Sequence, residues 1–314
     1  MPAESAPTLD GAVWELPGRL GLTSDIALLQ ETVSRWACGC DLEVREMVQR
    51  QLGGRAKYFR PVTLFACHRS MRAEPPSRSV LLAAAAVEIT HNVTLVVDDI
   101  LDRSRFRRGQ LSLHCRFGFL PALMTSGYMT VAAYDLVAED AYSVRLLAEL
   151  LQRLGAAECR QWRLRRQPLG VEDWREIAGE DTGSMFEICA GLGTRDRSLR
   201  RFGRLLGILY HGCDDVADVR GTAALGGGER DIQDGIVTLP AAMAVRDPET
   251  ALLFRDGTPS AVAELTRRQV AALPDAEAYL DTIAAEAEKE ALAHAAYPAR
   301  LLDLIRHTRA LSHS

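Results

Sequence analysis

A cluster of three aspartates closes a long apolar run, and it constrains what this part of the chain can form. Asp98, Asp99 and Asp102 lie within five consecutive positions. Residues four positions apart share a face of an α-helix, so Asp98 and Asp102 point the same way with Asp99 beside them. Carboxylates held so close repel one another, and a bound cation would relieve the repulsion. All-oxygen ligands favour a hard ion such as Mg2+, which proteins usually bind through carboxylates together with substrate phosphates.

The same pattern returns roughly half the chain later. Asp214, Asp215 and Asp218 have the same spacing and also follow an apolar helical run. One such cluster is compatible with the solvated end of a helix. Two clusters, each joined to an apolar helix, are hard to explain as surface decoration. The pair therefore predicts metal-assisted binding of a diphosphate.

Composition excludes several classes of protein. The 314 residues are 47% apolar and 25% charged, as in ordinary globular chains, and the net charge of −5 argues against a general nucleic-acid binder. The arginine-rich stretch 160–166 is interpreted as a solvated helix end. Seven scattered cysteines without a CxxC pair fit a reducing cytoplasm, and several are expected to be small buried apolar residues. The N-terminus has no pattern of a signal peptide.

The longest uncharged run extends from Phe117 to Tyr134 and includes Gly118, Pro121 and Gly127. A membrane-spanning helix needs about 20 predominantly apolar residues. The run therefore predicts a helix buried inside a soluble protein, and no membrane span is expected.

Apolar residues recur at helical spacing along most of the chain, and no run alternates convincingly with period two. We predict an all-α fold with a flexible N-terminal arm over residues 1–22 and a single domain over residues 23–314. The glycine-rich stretch 220–237 directly follows the second aspartate cluster. It is interpreted as a mobile flap over that cluster, with a linker as the alternative.

Carboxylates on opposing helices would hold a Mg2+-loaded diphosphate between them, where metal ions stabilise charge on the departing group. An allylic diphosphate would then ionise to a carbocation. Such a cation needs a dry and mostly apolar cavity, because water would quench it. The apolar helices that lead into the two clusters are expected to supply the walls.

Basic residues lie where a second diphosphate could be held. Lys57 and Arg60 stand at the expected start of a helix, where backbone N–H groups favour anions. Arg107 and Arg108 follow the first aspartate cluster within one loop. His91 lies about two turns before that cluster on the same helix. A lone histidine in an apolar helix is also commonly a core residue, so both interpretations of His91 stay open.

With these positions the chain resembles the trans-isoprenyl diphosphate synthase family, also called polyprenyl synthetases. Its motifs occur here in family order between residues 53 and 245, which makes the resemblance specific. They are Gly53-Gly54 with Lys57 and Arg60-Pro61; Glu88 and His91 before the first aspartate cluster; Arg107-Arg108-Gly109, His114 and Phe117-Gly118; Thr182-Gly183-Ser184-Met185-Phe186; the second cluster; and Asp231, Gly235 and Thr238-Leu239-Pro240.

The resemblance implies an all-α isoprenoid synthase fold of about 10–13 helices around a central cavity. It also implies a homodimer, three Mg2+ ions, and head-to-tail condensation of isopentenyl diphosphate with an allylic diphosphate. The leaving diphosphate would accept the final proton, so no dedicated base is expected. By matched position, the principal metal ligands would be Asp98, Asp102 and Asp214, supported by Asp99, Asp215 and Asp218. Arg107 would bind the allylic diphosphate, and isopentenyl diphosphate would be bound by Lys57, Arg60, His91 and Arg108.

Several positions depart from the family pattern. The lysine of the Lys-Thr-Gly motif is Asp181 here, and the lysine of the downstream Gly-Lys pair is Ile236. Tyr210-His211 replaces a Phe-Gln pair before the second cluster. Tyr58 replaces the arginine beside the first-motif lysine, and Tyr128 replaces an aspartate. The positions for isopentenyl diphosphate are thus largely intact, whereas those for the allylic diphosphate are depleted.

Two enzymatic functions remain open. Retention of Lys57, Arg60 and Arg108 favours a divergent short-chain synthase. Loss of two lysines favours a class I terpene synthase or cyclase, or a prenyltransferase that uses an acceptor other than isopentenyl diphosphate. A third interpretation is a non-enzymatic partner subunit, which two intact aspartate clusters argue against.

Product length is predicted from the helix that carries the first cluster. Thr94 lies one turn before Asp98 on the same face, and Val93 is its neighbour. Neither side chain is aromatic, so neither should block the cavity below the cluster. Within a range of C15–C20, we therefore hypothesise a C20 product.

Overall fold

The protein is described by a computed structural model that covers residues 11–53, 57–221 and 231–313. These residues form sixteen α-helices, a final 3-10 turn and one hairpin whose two strands have two residues each. This confirms the all-α prediction. The helix bounds are α1 Gly11–Arg19, α2 Thr23–Gly39, α3 Leu42–Leu52, α4 Phe59–Met71, α5 Arg78–Leu101, α6 Leu113–Phe117, α7 Phe119–Leu136, α8 Ala141–Arg163, α9 Val171–Glu180, α10 Thr182–Thr194, α11 Arg200–Arg220, α12 Asp231–Asp234, α13 Leu239–Ala244, α14 Pro248–Asp256, α15 Pro259–His294 and α16 Ala299–Ala310. The strands are β1 Phe106–Arg107 and β2 Gln110–Leu111. The count exceeds the expected 10–13 helices because short helices such as α6 and α12 separate the long ones.

Two predicted irregular segments contain helices. The arm expected over residues 1–22 includes α1, because Leu16, Leu20 and Leu22 are buried rather than solvated. Residues 1–10 of that arm lie outside the described residues. The same holds for residues 222–230 of the expected flap, whose end forms α12.

Contacts between Cα atoms divide the chain into two compact units. The N-terminal unit comprises residues 1–69 and 73–147, and the C-terminal unit comprises residues 70–72 and 148–314. The prediction of one domain over residues 23–314 stays a prediction. The first aspartate cluster belongs to the N-terminal unit and the second to the C-terminal unit.

Helix α5 is the core helix of the N-terminal unit. Its N-cap is Ser77, whose Oγ accepts a hydrogen bond from the backbone N–H of Val80 at 3.4 Å. Its side chains are buried almost continuously from position 80 to 93. The helix ends where Asp102 caps it and Arg103 takes a left-handed backbone with φ of 54°. This termination places the first aspartate cluster in the last turn.

Among the described helices, α5 alone is long and apolar enough to cross a bilayer, with a mean hydropathy of 1.8 over 18 residues. However, 78% of that window is buried inside the protein, as in the core helix of a soluble protein. The length and composition of one such helix are therefore weak evidence for a membrane span.

Helix α7 differs from the prediction that this uncharged run is buried. One face packs against α5 through small and medium side chains, including Ala122, Ser126, Met129 and Ala133. The opposite face exposes large apolar side chains, which are Phe119, Leu120, Leu123, Met124, Tyr128 and Val131. We call these six residues the α7 apolar face. The absence of charged residues in this run does not show that only one face of α7 packs against other parts of the chain.

Strands β1 and β2 form a short antiparallel hairpin directly after α5. Its two turn residues, Arg108 and Gly109, have φ values of 51° and 78°. Positive φ at both central residues defines the type I′ turn that best matches the twist of paired strands. The turn fixes the direction of the Arg107–Arg108 pair relative to the end of α5.

Helix α11 is the central helix of the C-terminal unit and packs closely against α10. A Cβ atom on Gly207 would lie 2.7 Å from the Cα of Gly183, closer than any real side chain allows. Two glycines facing each other therefore let the two backbones touch. This contact brings the start of α10 alongside the aspartate-bearing part of α11.

Candidate functional site

The first aspartate cluster separates into a buried and a more exposed part. Asp99 is only 2% exposed, and its Oδ1 accepts hydrogen bonds from Nε and Nη2 of Arg107 at 2.9 and 2.7 Å. Burial raises the pKa of Asp99, and the Arg107 guanidinium opposes that shift. Asp98 is half-buried and Asp102 is exposed. The middle carboxylate is thus held by the protein, and the other two lie on the more accessible side.

The second cluster has the same division. Asp215 is 7% exposed, and its Oδ2 accepts hydrogen bonds from the indole Nε1 of Trp174 at 2.9 Å and from the backbone N–H of Leu239 at 2.7 Å. Burial raises the pKa of Asp215 to about 7, although both hydrogen bonds act in the other direction. Asp214 and Asp218 are half-buried. Asp215 therefore connects α11 to α9 and to the first residue of α13.

Both clusters lie in the last two turns of their helices, where the macrodipole is negative. Carboxylates are unfavourable there, and a bound cation would offset both the dipole and their mutual repulsion. In the described ranges, no three acidic, histidine or cysteine side chains converge tightly enough to form a metal site by themselves. The donor set still suits Mg2+, which binds one or two carboxylates and completes its shell with phosphate oxygens and water.

The predicted anion-binding residues of the N-terminal unit gather around α4, α5 and the hairpin. Lys57 is exposed, and Arg60 and Arg108 are half-buried. His91 is 9% exposed, and the positive charges of Arg60 and Arg108 both lower its pKa. Burial and these cations hold the pKa of His91 well below its usual range, so the imidazole is neutral. Its Nδ1 is buried and has no hydrogen-bond partner among the described residues, which is unlike a satisfied core histidine.

Two residues of this group have a strained backbone. Tyr58 and Arg108 have φ values of 50° and 51°, a region that non-glycine residues rarely adopt. Such conformations cost of order 1–3 kcal/mol and tend to cluster where function requires a fixed geometry. Burial raises the pKa of the Tyr58 phenol to about 12, and Gln30 hydrogen-bonds to it. Tyr58 is therefore neutral, at the position that the resemblance matches to an arginine.

Arg50 and Gln51, at the end of α3, are site residues that the sequence does not predict. Both line a small pocket together with Arg107 and Arg108. Arg50 donates a hydrogen bond from Nη2 to the backbone oxygen of Leu111 at 3.3 Å. Its Nε is buried and has no partner in the part of the chain that the structure describes. No spacing rule connects α3 to a hairpin about 60 residues later, so only the fold reveals their proximity.

In the C-terminal unit, the departures from the family pattern meet one another. His211 Nδ1 lies 2.9 Å from Thr182 Oγ1 and 3.6 Å from an oxygen of Asp181. Its Nε2 lies 3.9 Å from Asp215, and its ring packs edge-on against Trp174. The aspartate that replaces the family lysine is thus paired with the histidine that replaces the family glutamine. Ile236 follows Gly235, whose backbone oxygen accepts a hydrogen bond from the N–H of Arg166 at 2.9 Å.

The arginine-rich stretch 160–166 is only partly a solvated helix end. Arg160 forms an ion pair with Glu176 at 2.7 Å on the surface. Arg166 instead bonds through its side chain to the backbone oxygens of Ile232 and Gln233. Half-buried Arg166 therefore fastens the segment that contains α12.

Residues 42–264 match the family described as polyprenyl synthetase. The nonaprenyl diphosphate synthase of Mycobacterium tuberculosis is 28% identical over 211 residues, which cover 63% of this chain and 63% of that protein. The geranylgeranyl diphosphate synthase of Methanosarcina mazei is 28% identical over 201 residues, covering 58% and 61%. The chain thus matches less than two thirds of the length of each relative.

The heptaprenyl diphosphate synthase of Staphylococcus aureus superimposes with a TM-score of 0.83 over 93% of this chain and 98% of that one, at 19% identity. This similarity confirms the predicted isoprenoid synthase fold. The family match extends over well more than half of the chain and includes both aspartate clusters. The chain therefore belongs to the polyprenyl synthetase family, a family of transferases.

Proposed function

We propose that this protein is a Mg2+-dependent prenyltransferase that condenses isopentenyl diphosphate with an allylic diphosphate to a trans-prenyl diphosphate. The observation that supports this most is the shared design of the two aspartate clusters. In each, the protein holds the middle carboxylate and leaves the outer ones more accessible. Each cluster is a set of oxygen ligands that suits Mg2+ bound together with a diphosphate.

Asp98, Asp102 and Asp214 are the proposed principal metal ligands, with Asp218 in support. Asp99 and Asp215 act mainly by fixing the geometry of their neighbours. When bound, Mg2+ would neutralise the leaving diphosphate and stabilise the charge that develops on it. Three ions are expected from the resemblance.

Lys57, Arg60 and Arg108 are proposed to bind the diphosphate of isopentenyl diphosphate. Guanidinium groups match phosphate oxygens in a bidentate way, and lysine adds a point charge. The neutral His91 would add a hydrogen bond from its unpartnered Nδ1 side. Arg107 would bind the allylic diphosphate with N–H groups other than the two that it donates to Asp99.

A second function is favoured by the loss of two cations. Asp181 and Ile236 replace the family lysines, and Asp181 pairs with His211. A protein with weakened anchors for the allylic diphosphate could ionise it and then cyclise the cation, or transfer it to an acceptor other than isopentenyl diphosphate. This activity would be that of a class I terpene synthase.

Purified protein should be incubated with Mg2+ and geranyl or farnesyl diphosphate, with and without isopentenyl diphosphate. We expect longer prenyl diphosphates only when isopentenyl diphosphate is present. Hydrocarbons or alcohols formed without it would support the cyclase. Absence of turnover, together with stable binding to another prenyl synthase, would support a partner subunit.

A matched pair of variants links the synthase activity to the proposed site. Arg108→Gln should raise the KM for isopentenyl diphosphate about 100-fold, because a charged partner of the diphosphate is lost. Arg116→Gln changes an exposed arginine of the same unit that pairs with the exposed Glu46 and lies over the Phe117 ring. We expect Arg116→Gln to leave the KM unchanged. Equal effects of both variants would contradict the assignment.

For product length we propose C20, since Val93 and Thr94 are not aromatic and lie just before the first cluster. Thr94→Phe should shorten the product, and mass spectrometry of the prenyl diphosphates would measure it. Leu28→Phe adds a ring at an exposed position of α2 and serves as control. An unchanged product from Thr94→Phe, or a wild-type product longer than C20, would contradict this placement of the cavity floor.

We also propose that the protein forms a homodimer through the α7 apolar face. Its six exposed side chains lie on one side of a single helix, and large contiguous apolar surfaces mark interaction sites. The stretch carries no charge from Phe119 to Tyr134, so two copies can meet across a twofold axis without opposing like charges.

A further inference from the structure

Glu88 is a buried carboxylate of the N-terminal unit to which no role has yet been given. It lies on α5 with 2% of its surface exposed. Asn92, one turn later, donates from Nδ2 to Glu88 Oε1 at 3.0 Å and to the Glu88 backbone oxygen at 2.8 Å. A carboxylate is seldom buried without charged partners, because removing it from water is costly.

The charges of the arginines proposed to bind isopentenyl diphosphate act on this carboxylate. Arg108 and Arg60 are the two strongest charges that favour the ionised form of Glu88. Burial nevertheless raises the pKa of Glu88 to about 7. Tyr58 also experiences the charges of both Glu88 and Arg108. Glu88 therefore lies among the groups that would surround the diphosphate.

The cations of this site need a counter-charge before substrate arrives. Burial lowers the pKa of Arg108, and the charges of Arg107 and Arg60 lower it further. Glu88 has the opposite effect and is the largest favourable influence on Arg108. Without it, like charges in a partly buried site would move apart. Arg108 also holds the left-handed turn position of the hairpin, so its backbone already stores strain.

Asn92 holds the Glu88 carboxylate and is itself held by Gln51. Gln51 donates from Nε2 to the backbone oxygen of Asn92 at 3.3 Å. Gln51 also lines the small pocket that contains Arg107 and Arg108. The chain of contacts from α3 through Asn92 to Glu88 is thus continuous with the site. A hydrogen-bonded support of this kind fixes a charged group in one place.

We propose that Glu88 is a positioning residue whose buried carboxylate keeps Arg60 and Arg108 converged on the diphosphate of isopentenyl diphosphate. It does not touch the substrate. It acts through the two arginines, and binding is favoured because their arrangement exists before the anion enters. This inference rests on the proposed function, since it assumes that isopentenyl diphosphate is the ligand of these arginines.

The test is a titration of the full-length protein with isopentenyl diphosphate and, separately, with inorganic pyrophosphate, at pH 8 where Glu88 is ionised. We expect Glu88→Gln to weaken the binding of both probes about 10-fold, as when the support of a ligand-binding group is removed. Glu88→Asp keeps the charge and should recover most of the affinity. In steady-state assays Glu88→Gln should raise the KM for isopentenyl diphosphate, and leave kcat and the KM for the allylic diphosphate unchanged.

Controls separate positioning from folding. Glu46→Gln removes an exposed carboxylate of the same unit and should not change binding. Circular dichroism should show Glu88→Gln to be at least as stable as the wild type at pH 8, because a buried charge is removed. If the wild type binds neither probe, the proposed function fails at this site and the inference with it. If the wild type binds and Glu88→Gln binds equally well or better, the inference alone is overturned.

Discussion

At the scale of single residues, neighbouring aspartates with identical side chains have different surroundings. Asp99 meets the guanidinium of Arg107, and Asp215 meets two N–H donors, whereas Asp98 and Asp214 are more exposed. A carboxylate that accepts buried hydrogen bonds is part of the framework, and its removal leaves donors unsatisfied. The same residue type thus serves structure at one position, and at the next we propose that it binds ligand.

Replacement of Asp214 and Asp215 should therefore give opposite results. Asp215→Ala leaves the Trp174 indole and the Leu239 N–H without an acceptor, and should lower the free energy of unfolding by about 2–4 kcal/mol. Asp214→Asn should leave the free energy of unfolding within about 0.5 kcal/mol of wild type and reduce Mg2+-dependent turnover at least about 100-fold. Urea unfolding and release of pyrophosphate measure the two effects. A stable Asp215→Ala would show that its hydrogen bonds contribute little.

Glu88 should make stability depend on pH. Its pKa is about 7 in the folded protein against an ordinary value of 4.5, so the folded state binds more protons between these values. The free energy of unfolding should therefore fall as the pH rises from about 4.5 to 7, and then become level as far as Glu88 is concerned. Glu88→Gln should reduce the change in the free energy of unfolding between about pH 4.5 and 7, as measured by chemical unfolding. An unchanged slope would mean that Glu88 is ionised throughout.

At the scale of helices, the site of the C-terminal unit depends on the close contact of α10 and α11. Gly183 and Gly207 meet at this contact, and the distance between Thr182 and His211 follows from it. Hydrogen bonds of 2.9 Å tolerate little displacement. A change in the contact between α10 and α11 should thus alter the hydrogen bond between Thr182 and His211.

Gly207→Ala should disrupt this contact. The new methyl group would overlap the backbone of α10, and overpacking of this kind costs about 1–3 kcal/mol. Gly155→Ala is the matched control, because its Cβ would meet open space on α8 and should stabilise the helix by up to about 1 kcal/mol. Thermal unfolding of both variants would measure the difference. Equal effects would show that α10 and α11 can separate at no cost.

At the scale of the whole molecule, the sequence predicts the all-α class and a start of α5 at Ser77 or Ser79, of which Ser77 is the N-cap, because helical periodicity and capping are local signals. It does not predict which face of α7 is buried and which is exposed, since both faces carry apolar residues. Nor does it predict that Asp215 is held by Trp174 and Leu239, which are 41 and 24 residues away. Contacts between distant segments become visible only when the helices are in place. The metal and substrate ligands themselves stay predictions until binding is measured.

The α7 apolar face gives the last prediction, which concerns the assembly. Burial of exposed apolar surface contributes about 25 cal/mol per Å2, so six large side chains on one helix favour association. Val131→Glu places a charge in that face, and in a twofold dimer it does so twice. Light scattering after gel filtration should show a dimer for the wild type and a monomer for Val131→Glu. Val270→Glu alters an exposed valine on α15, in the other unit, and should remain dimeric. A dimeric Val131→Glu would place the interface elsewhere, and a monomeric wild type would exclude the dimer.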